Sequence, residues 1–444
     1  MARDDTLPTM STIAVQPVPR PLDAVVRLPG SKSLTNRALM VAALADGTSR
    51  LSGVLLADDT RHMIEALRSF GIRVGVDAPA CTAEVRGCAG LLPAGEADLF
   101  CGNSGTTIRF CTAMAALGHG RYQLDGTPRM RERPIGQLVE ALQSLGTPIE
   151  YLDREGYPPI AVHAKTLGGG HVAFDSPPSS QLISALLMAA PRAHNDVLIE
   201  VTGQIVSLPY IRMTLAVLDA FGVSVVDQID DRDAKFIVPA PQPYPGREYA
   251  VEPDASNASY FLAAPAVAGG KVIVEGLGTA SVQGDARFVD VLERMGCRID
   301  REPDRLTVHA PPSGTRLRGI DVDLNDMPDM VQTLAVLALF ADGPTRITNV
   351  ENLRVKETDR LSALAHELSN LGAGVQEAPD GLTIRPPDRV QPGCVNTYDD
   401  HRMAMSFALA GLGAEGIVIN DPDCTAKTFP DFFERWATMC GRSK

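Results

Sequence analysis

The chain has 444 residues, of which 45% are hydrophobic and 21% are charged, and its formal net charge is -13. This length exceeds the size at which one hydrophobic core stops growing, so a globular protein of two or more lobes is expected. The acidic balance disfavours nucleic acid as the main partner, and no apolar run approaches the length of a membrane span.

The N-terminal segment, residues 1–28, has no repeated unit of its own. Its first 21 residues contain prolines and acidic residues but no apolar stretch of the kind that a signal peptide needs. The eight cysteines are scattered without a CxxC pair, which argues against a zinc site and fits reduced thiols. We therefore expect a cytoplasmic protein without a metal site, in which this tail and its strand join the second lobe.

An apolar helix is predicted to begin near Ser31, after a Pro-Gly break, with Lys32, Ser33 and Arg37 in its first turns. Free backbone N–H groups and the positive end of the helix dipole favour an anion there, and these side chains add donors. A simple helix cap with two solvated cations is the alternative for an isolated match. A nucleotide-binding P-loop does not fit, because Ser31 stands where that motif requires glycine.

The same arrangement recurs along the chain, which indicates a repeat. Apolar helices with polar starts are predicted near residues 31, 103, 179, 254, 326 and 399. Amphipathic helices alternate with them and stop at glycines spaced by about 75 residues, Gly71, Gly146, Gly222, Gly296, Gly372 and Gly441. Strand-like runs lie between the helices, so we predict an α/β (α+β) fold of six similar modules.

Six modules divide naturally into two lobes of three. The proline-rich stretch 241–246 precedes the fourth apolar helix, so one crossing between lobes is expected within 249–254 and the other near 28–30. The predicted first lobe is 29–252 and the predicted second lobe is 253–444. If the lobes pack their modules equivalently, the helix starts share a cleft that attracts anions.

Several helix starts of the first lobe carry polar residues that an apolar core does not need. Gly105 would let a ligand approach the backbone closely. Three arginines lie within 129–133, and although such a run is usually solvated, at least one is expected to bind an anion because a helix start follows. Residues 179–181 offer two hydroxyls and an amide, which is more than a helix cap requires. Residues 207–210 by themselves indicate only a helix start.

The helix starts of the second lobe are acidic. Asp329 is either an N-cap or, if it faces a cleft of cations, a general base. The run 352–360 places Lys356 and Arg360 on one helix face with Glu357 between cations, and an exposed salt-bridged helix is the alternative. The remaining polar candidates are His401, Arg402 and Lys427.

Motifs from Ile13 to Trp436 resemble those of the 5-enolpyruvylshikimate-3-phosphate synthase family. They include LPGSKSLTNRAL, GNSGTTIR, PRMRERPIG, SSQLISALLM, EPDASNASYF, NLRVKETDR, DDHRMAM and DPDCTAKTFPDFF. The resemblance implies a two-lobed inside-out barrel of six βαβαββ modules, three per lobe. It also implies a transferase of the shikimate pathway, on the route to chorismate and aromatic amino acids. Such an enzyme moves the enolpyruvyl group of phosphoenolpyruvate to the 5-hydroxyl of shikimate 3-phosphate and releases phosphate, without a cofactor.

The resemblance also implies roles for individual residues. Asp329 would accept the proton of the attacking hydroxyl, and Glu357, with help from Lys32, would protonate the methylene carbon before elimination from a tetrahedral intermediate. The implied shikimate 3-phosphate ligands are Lys32, Ser33, Arg37, Ser179, Ser180, Gln181, Ser207, Tyr210 beneath the ring, Asp329, Asn352 and Lys356. The implied phosphoenolpyruvate ligands are Lys32, Gly105, Arg129, Gln181, Arg360, Arg402 and Lys427. For His401 we favour an orienting or capping role.

The second apolar helix departs from the family pattern. Ser104 and Thr107 stand where the family often has alanine, Ile108 where it has methionine, and Phe110 where it has proline. Because Gly105 is kept and carries no side chain, we expect phosphoenolpyruvate to fit and the herbicide glyphosate, the family's competitor at this site, to inhibit.

The sequence leaves two other functions as alternatives. The related UDP-N-acetylglucosamine enolpyruvyl transferases carry Ala-Lys-Asn where 31–33 stands here and a cysteine within the loop 129–133, and both differences favour the shikimate enzyme. A non-catalytic relative of the fold is disfavoured by the joint presence of Lys32, Asp329 and Glu357. A monomer is expected.

Overall fold

The structure is a computed structural model that describes residues 11–230 and 233–442. Its α-helices, in chain order, are α1 (Lys32–Leu44), α2 (Asp58–Ser69), α3 (Gly105–Ala115), α4 (Gly136–Ser144), α5 (Ser180–Ala189), α6 (Leu208–Ala220), α7 (Ala255–Ala268), α8 (Phe288–Arg294), α9 (Val331–Leu337), α10 (Arg360–Asn370), α11 (His401–Gly413) and α12 (Phe432–Met439). No helix among them combines the length and the apolar character that crossing a bilayer requires.

The strands are short and lie between the helices. They are β1 (Thr12–Val15), β2 (Leu22–Arg27), β3 (Thr48–Ser52), β4 (Arg73–Asp77), β5 (Thr82–Arg86), β6 (Glu96–Phe100), β7 (His119–Asp125), β8 (Ile149–Tyr151), β9 (Ile160–Lys165), β10 (Gly170–Asp175), β11 (Val197–Thr202), β12 (Val226–Ile229), β13 (Ala234–Val238), β14 (Glu248–Ala250), β15 (Gly270–Glu275), β16 (Arg298–Arg301), β17 (Arg305–His309), β18 (Asp321–Asp323), β19 (Thr345–Thr348), β20 (Gly374–Ala378), β21 (Gly381–Arg385), β22 (Gly393–Val395) and β23 (Ile417–Asn420).

These strands form six small sheets with one shared topology. In four of the six sheets the strand before a buried helix pairs in parallel with the strand after it, as β6 does with β7 and β10 with β11. An antiparallel neighbour then follows, and in the four-stranded sheets a second one, so that one order is β6-β7-β9-β8. The prediction of a mixed α/β fold built from six similar modules is therefore confirmed.

Two sheets take their first strand from a distant part of the chain. The strand β14 lies at the end of the third module but pairs with β3 of the first module. The N-terminal strand β2 pairs with β15 of the fourth module, and β1 pairs with β23 of the last. The chain thus passes twice between the two halves of the molecule.

The buried apolar side chains form two clusters. One extends from Leu34 to Val251, and the other contains Val15, Leu22 and Val26 with side chains from Ala255 onward. We call the parts around these clusters the first and second lobes, and we propose that their boundaries are those expected from the sequence, 29–252 and 253–444. The division agrees with the size limit of a single core.

One buried helix lies at the centre of each module, because its surface is apolar on all sides. Polar residues cap their starts: the side chain of Ser31 accepts from Leu34 N, that of Ser104 from Thr107 N, and that of Asp254 from Asn257 N. The fifth of these helices begins at Val331, later than the predicted start near 326, because the turn Pro328–Met330 is a 3-10 helix that precedes it.

The amphipathic helices stop where their glycines were predicted to end them. The six glycines that follow them all have positive φ, from 70° at Gly441 to 110° at Gly296. This left-handed conformation costs a glycine little and ends a helix after its last hydrogen-bonded turn.

The two crossings between the lobes lie side by side. Ser31 N donates to the carbonyl oxygen of Glu252 at 2.8 Å, and Asp254 N donates to that of Pro29 at 3.0 Å. Lys32 N donates to the carboxylate of Asp254 at 2.9 Å. These bonds hold the starts of α1 and α7 next to each other at the base of the cleft.

Candidate active site

Two lysines from opposite lobes meet at one buried carboxylate. The Nζ atom of Lys32, in the first turn of α1, lies 3.2 Å from Oδ2 of Asp59. Lys427 ends a 3-10 helix of the second lobe and places its Nζ atom 3.4 Å from Oδ1 of Asp59 and 3.6 Å from Oε1 of Glu357. The same ammonium group donates to the carbonyl oxygen of Asn103 at 2.8 Å. Charged side chains of the two lobes therefore face a common cleft.

Arg360, the first residue of α10, holds three carboxylates of the second lobe. Its Nε atom donates to Asp400 at 2.7 Å, Nη1 donates to Asp329 at 3.0 Å, and Nη2 donates to Glu357 at 3.0 Å. Arg402 donates from Nη2 to the other oxygen of Asp329 at 2.7 Å. Because the guanidinium is planar and rigid, it fixes the two carboxylates that face the cleft relative to each other.

The cations of the cleft determine the charge of those two carboxylates. Burial by itself would raise the pKa of Asp329, but Arg402 and Lys356 outweigh burial and hold that pKa well below its usual range. The pKa of Glu357 is likewise held well below its usual value, because Arg360 and other cations outweigh burial. Both groups are therefore ionised at neutral pH when no substrate is bound.

Tyr210, near the start of α6, extends its hydroxyl from the first lobe to two carboxylates of the second. The hydroxyl lies 2.9 Å from Oδ2 of Asp285 and 3.2 Å from Oδ2 of Asp329. Burial, with Asp329 close by, raises the pKa of Asp285 to about 6. One phenol proton is thus placed between two carboxyl groups of unequal acidity.

Two arginines surround Gly105 at the start of α3. A Cβ atom added at Gly105 would lie 2.5 Å from Nη2 of Arg133 and 2.8 Å from Nη1 of Arg109. Arg133 donates to the carbonyl oxygen of Asn103 at 2.9 Å, and Arg109 donates to Oε1 of Gln181 at 2.7 Å. A side chain at this position would displace one or both guanidinium groups, so a positive surface adjoins the bare backbone here.

A small enclosed space lies between the lobes next to these arginines. Its lining residues include Arg109, Arg133, Ser179, Gln181, Asn352 and Lys356. Several of their buried polar atoms, namely both amide atoms of Asn352 and Nε of Arg133 and of Arg109, have no hydrogen-bond partner among the described residues. Buried polar groups nearly always have partners, so this lining suits a polar, anionic ligand.

The structure places Arg129 away from this cluster and Arg133 in it. The Nε atom of Arg129 donates to the carbonyl oxygen of Lys356 at 3.1 Å, and its Nη1 atom is paired with Glu132 at 2.7 Å. The role of Arg129 as a phosphoenolpyruvate ligand stays a prediction, and the 3-10 turn Met130–Glu132 places Arg133 beside Gly105 as a further candidate.

Arg37 lies beneath the cleft and is fully buried. Its guanidinium donates to Oγ1 of Thr214 at 2.7 Å, to the carbonyl oxygen of Ser33 at 3.0 Å and to that of Tyr210 at 3.1 Å. These acceptors all belong to the first lobe. Arg37 therefore supports Ser33 and Tyr210 from below, and its role as a shikimate 3-phosphate ligand stays a prediction.

The remaining expected ligands lie at helix starts that border the cleft. Ser179 caps α5, which begins at Ser180, and accepts from Gln181 N at 3.3 Å. Ser207 adopts a left-handed conformation with φ of 57° before α6, and its N–H group donates to the carbonyl oxygen of Asn325 in the second lobe at 3.1 Å.

Four groups of this site were not assigned to it from the sequence: Asp59, Asp285, Asp400 and the guanidinium of Arg109. Asp59 lies in the first turn of α2, where an acidic residue is common for reasons of helix stability alone. Its two lysine partners are distant in sequence. The position of Asp59 in the site becomes visible only when the two lobes are seen packed against each other.

Comparison with known proteins agrees with this geometry. A family model described as EPSP synthase (3-phosphoshikimate 1-carboxyvinyltransferase) matches residues 17–436. The 3-phosphoshikimate 1-carboxyvinyltransferase of Trichormus variabilis is 48% identical over 433 residues, covering 98% of this chain and 100% of that protein. The chloroplastic enzyme of the same name from Arabidopsis thaliana is 48% identical over 448 residues, covering 98% and 85%.

The fold is also found among solved structures. An EPSP synthase from Acinetobacter baumannii aligns with a TM-score of 0.78 and 25% sequence identity, covering 97% of this chain and 98% of that one. The match confirms the predicted fold class, and the family model and the relatives confirm the resemblance stated from the motifs. The chain belongs to the EPSP synthase family.

Proposed function

We propose that the protein is a 3-phosphoshikimate 1-carboxyvinyltransferase, which transfers the enolpyruvyl group of phosphoenolpyruvate to the 5-hydroxyl of shikimate 3-phosphate and releases phosphate. Family membership supports this activity. The observation that carries it in the structure is the cleft in which cations from both lobes surround the carboxylates of Asp329 and Glu357. Two multiply charged anions require such a concentration of cations, and two proton transfers require at least one acid-base group each.

The proposed reaction begins with addition. Asp329 takes the proton of the 5-hydroxyl, whose oxygen bonds to C2 of phosphoenolpyruvate, while Glu357 with Lys32 delivers a proton to C3. Glu357 can gain this proton because the bound anionic substrates neutralise the cations that hold its pKa low. A tetrahedral intermediate results.

Elimination then completes the transfer. Glu357 removes a proton from C3, the bond between C2 and the phosphate oxygen breaks, and the double bond is restored. The proton that Asp329 accepted leaves with the phosphate. The ammonium and guanidinium groups of Lys32, Arg402 and Lys427 stabilise the negative charge that develops on the departing group.

The residues divide into two proposed subsites. For shikimate 3-phosphate we propose Lys32, Ser33, Arg37, Ser179, Ser180, Gln181, Ser207, Tyr210, Asp329, Asn352 and Lys356 as contacts. For phosphoenolpyruvate we propose Lys32, Gly105, Arg129, Gln181, Arg360, Arg402 and Lys427, with Arg133 as a further contact. The placement of Arg133 beside Gly105 supports its addition.

A phosphate-release assay tests the activity. Purified protein is incubated with phosphoenolpyruvate and either shikimate 3-phosphate or UDP-N-acetylglucosamine, and inorganic phosphate is measured over time. We expect release only with shikimate 3-phosphate. Release with the nucleotide sugar would favour the related transferase, and absence of release in both mixtures would favour a non-catalytic member of the fold.

The affinity for shikimate 3-phosphate is expected to fall at alkaline pH. Burial lowers the pKa of Lys356 to about 8, although the carboxylate of Asp329 favours the charged form. Above that pH the ammonium group loses its proton, and the proposed subsite loses a positive charge. We expect the KM for shikimate 3-phosphate to rise several-fold between about pH 7 and pH 9.5, and Lys356→Arg to flatten the profile, since arginine stays protonated. A KM independent of pH in the wild-type enzyme would contradict this role.

Glyphosate is expected to inhibit in competition with phosphoenolpyruvate. The side chains that differ from the family pattern do not face Gly105. The hydroxyls of Ser104 and Thr107 are hydrogen-bonded to each other at 2.8 Å. Phe110 is fully buried, and its ring lies against the guanidinium of Arg37. None of these side chains narrows the space at Gly105. Initial rates at several phosphoenolpyruvate concentrations test this, and an absence of inhibition at millimolar glyphosate would contradict it.

We also propose that the enzyme acts as a monomer in the cytoplasm. The cleft takes its groups from both lobes of one chain, so no second copy is needed to complete the proposed subsites. Light scattering coupled to size-exclusion chromatography measures the molar mass in solution, and a dimer mass would contradict the monomer.

A further inference from the structure

A second buried carboxylate, that of Asp285, shares a hydroxyl with Asp329. Asp285 belongs to the 3-10 helix Gly284–Arg287 of the second lobe and is buried. Its Oδ2 atom accepts hydrogen bonds from the hydroxyl of Tyr210 at 2.9 Å and from the hydroxyl of Ser256, in the first turn of α7. Its Oδ1 atom is buried and has no hydrogen-bond partner among the described residues. Two hydroxyl groups therefore hold this carboxylate, without the paired cation that a buried charge usually has.

Such a carboxylate lowers the stability of the fold when it is ionised. Burial and the neighbouring charge of Asp329 raise the pKa of Asp285 to about 6. Above that pH the folded protein contains a buried negative charge that the unfolded chain would expose to water, so ionisation of Asp285 favours the unfolded state. Groups in this situation cluster at functional sites, and a role for Asp285 in function explains its presence better than a role in stability.

The first lobe packs closely against the turn that carries Asp285. A Cβ atom added at Gly284 would lie 2.3 Å from Cβ of Pro209, near the start of α6. Tyr210 directly follows Pro209, as Asp285 directly follows Gly284. This close approach of the two backbones fixes the phenol of Tyr210 relative to the carboxylate of Asp285.

The hydroxyl of Tyr210 has one proton and two carboxylate acceptors. Besides Oδ2 of Asp285 at 2.9 Å, it lies 3.2 Å from Oδ2 of Asp329. Asp329 already accepts from Arg402 and Arg360, and these cations make its carboxylate the weaker acceptor. The phenol proton is therefore directed to Asp285 as long as Asp285 is ionised.

We propose that Asp285 is a positioning residue that draws the hydroxyl proton of Tyr210 away from Asp329 and so leaves Asp329 free to accept the proton of the substrate hydroxyl. Its effect on catalysis rests on the proposed function. A hydrogen bond to a carboxylate lowers its basicity, and a donor in addition to the two arginines would weaken Asp329 further as a general base. Once Asp285 gains a proton, Asp329 becomes the stronger acceptor, and the hydroxyl turns towards it.

This arrangement predicts a pH dependence with a defined cause. The charged groups that face the phenol and the two carboxylates come from several elements, and they are Asp285, Asp329, Arg402, Arg360, Lys356 and Lys32. Since the pKa of Asp285 is about 6, protonation of Asp285 below that pH is expected to slow the addition step. The phosphate groups of the substrates also titrate near pH 6, so a comparison with a variant is needed to assign the effect.

The test compares Asp285→Asn with Asp290→Asn in single turnovers with enzyme in excess. Asparagine is never an anion, so phosphate release by Asp285→Asn should be about tenfold slower than wild type at pH 8. At pH 5 the two rates should agree within about twofold, because Asp285 is then neutral in the wild type as well. Asp290, in α8, is half-exposed and pairs with Arg301, so its variant should match the wild type at both pH values. Equal rates for Asp285→Asn and wild type at pH 8, or an equal loss at both pH values, would overturn the positioning role.

Tyr210→Phe shows whether the effect passes through the phenol. Without this hydroxyl, Asp285 has no proton to draw away from Asp329. Adding Asp285→Asn to Tyr210→Phe should therefore slow the single turnover at pH 8 by no more than about twofold further. A further loss of about tenfold would mean that Asp285 acts without Tyr210, and the proposal would be wrong.

Carbon-13 NMR separates this inference from the proposed function, because it needs no substrate. The protein is labelled at the tyrosine Cζ atoms, and the signal of Tyr210 is identified by its absence in Tyr210→Phe. We expect this signal to shift with a midpoint near pH 6 in the wild type and in Asp290→Asn, and to stay constant in Asp285→Asn. Such a shift in a protein that releases no phosphate would support the control of the hydroxyl by Asp285 and refute the proposed activity. A constant signal in an active wild-type enzyme would refute that control and leave the activity standing.

Discussion

Replacing Asp329 with alanine is expected to lower kcat by about a hundredfold to ten-thousandfold, the usual range for loss of a general base. Shikimate 3-phosphate should still bind, because its other proposed contacts, among them Gln181 and Lys356, remain in the cleft. Phosphate release measures the first effect, and isothermal titration with shikimate 3-phosphate measures the second.

A matched control for this variant is Asp326→Ala. Asp326 lies three positions before Asp329, but its side chain is half-exposed and pairs with Arg287 at 3.3 Å. Its loss should leave kcat within about twofold of wild type, since exposed ion pairs contribute little. Near-normal turnover of Asp329→Ala would remove Asp329 from the mechanism, whatever the control shows.

Arg360→Met is expected to have the largest effect on stability. The guanidinium is buried and pairs with Asp329, Glu357 and Asp400, so methionine would leave three carboxylates around a site without its central cation. Breaking a buried pair by removing one partner costs about 3–5 kcal/mol. We expect a lower midpoint of urea unfolding and a loss of activity.

The control for Arg360→Met is Arg301→Met. Arg301 also pairs with two carboxylates, Asp290 and Glu293, but these groups are largely exposed. Its loss should change the free energy of unfolding by about 1 kcal/mol or less. If Arg360→Met unfolds at the same urea concentration as the wild type, Arg360 does not hold the second lobe's carboxylates together.

The repeated architecture could be predicted from the sequence because its signals are local. A glycine such as Gly71 ends a helix through its own backbone conformation, and a run such as that of α1 is buried because every face is apolar. These properties do not depend on distant partners. The number of modules and the positions of their helices therefore followed from spacing.

The exact membership of the site could not be predicted in the same way. The run 129–133 contains three arginines within one turn, and only the path of the 3-10 turn decides that Arg133 adjoins Gly105 while Arg129 reaches the other lobe. Asp59 looks like an ordinary acidic residue at a helix start until Lys427 approaches it from the second lobe. Such pairings arise from tertiary packing and leave no local pattern.

We infer that helix starts of both lobes bind two anions in one cleft. A crystal structure of the complex with shikimate 3-phosphate and inorganic phosphate tests it most directly. We predict that shikimate 3-phosphate contacts Gln181 and Lys356 and that phosphate contacts Lys32 and Arg402, so that each anion is held by both lobes. Either anion bound outside the cleft, or held by one lobe alone, would contradict the account.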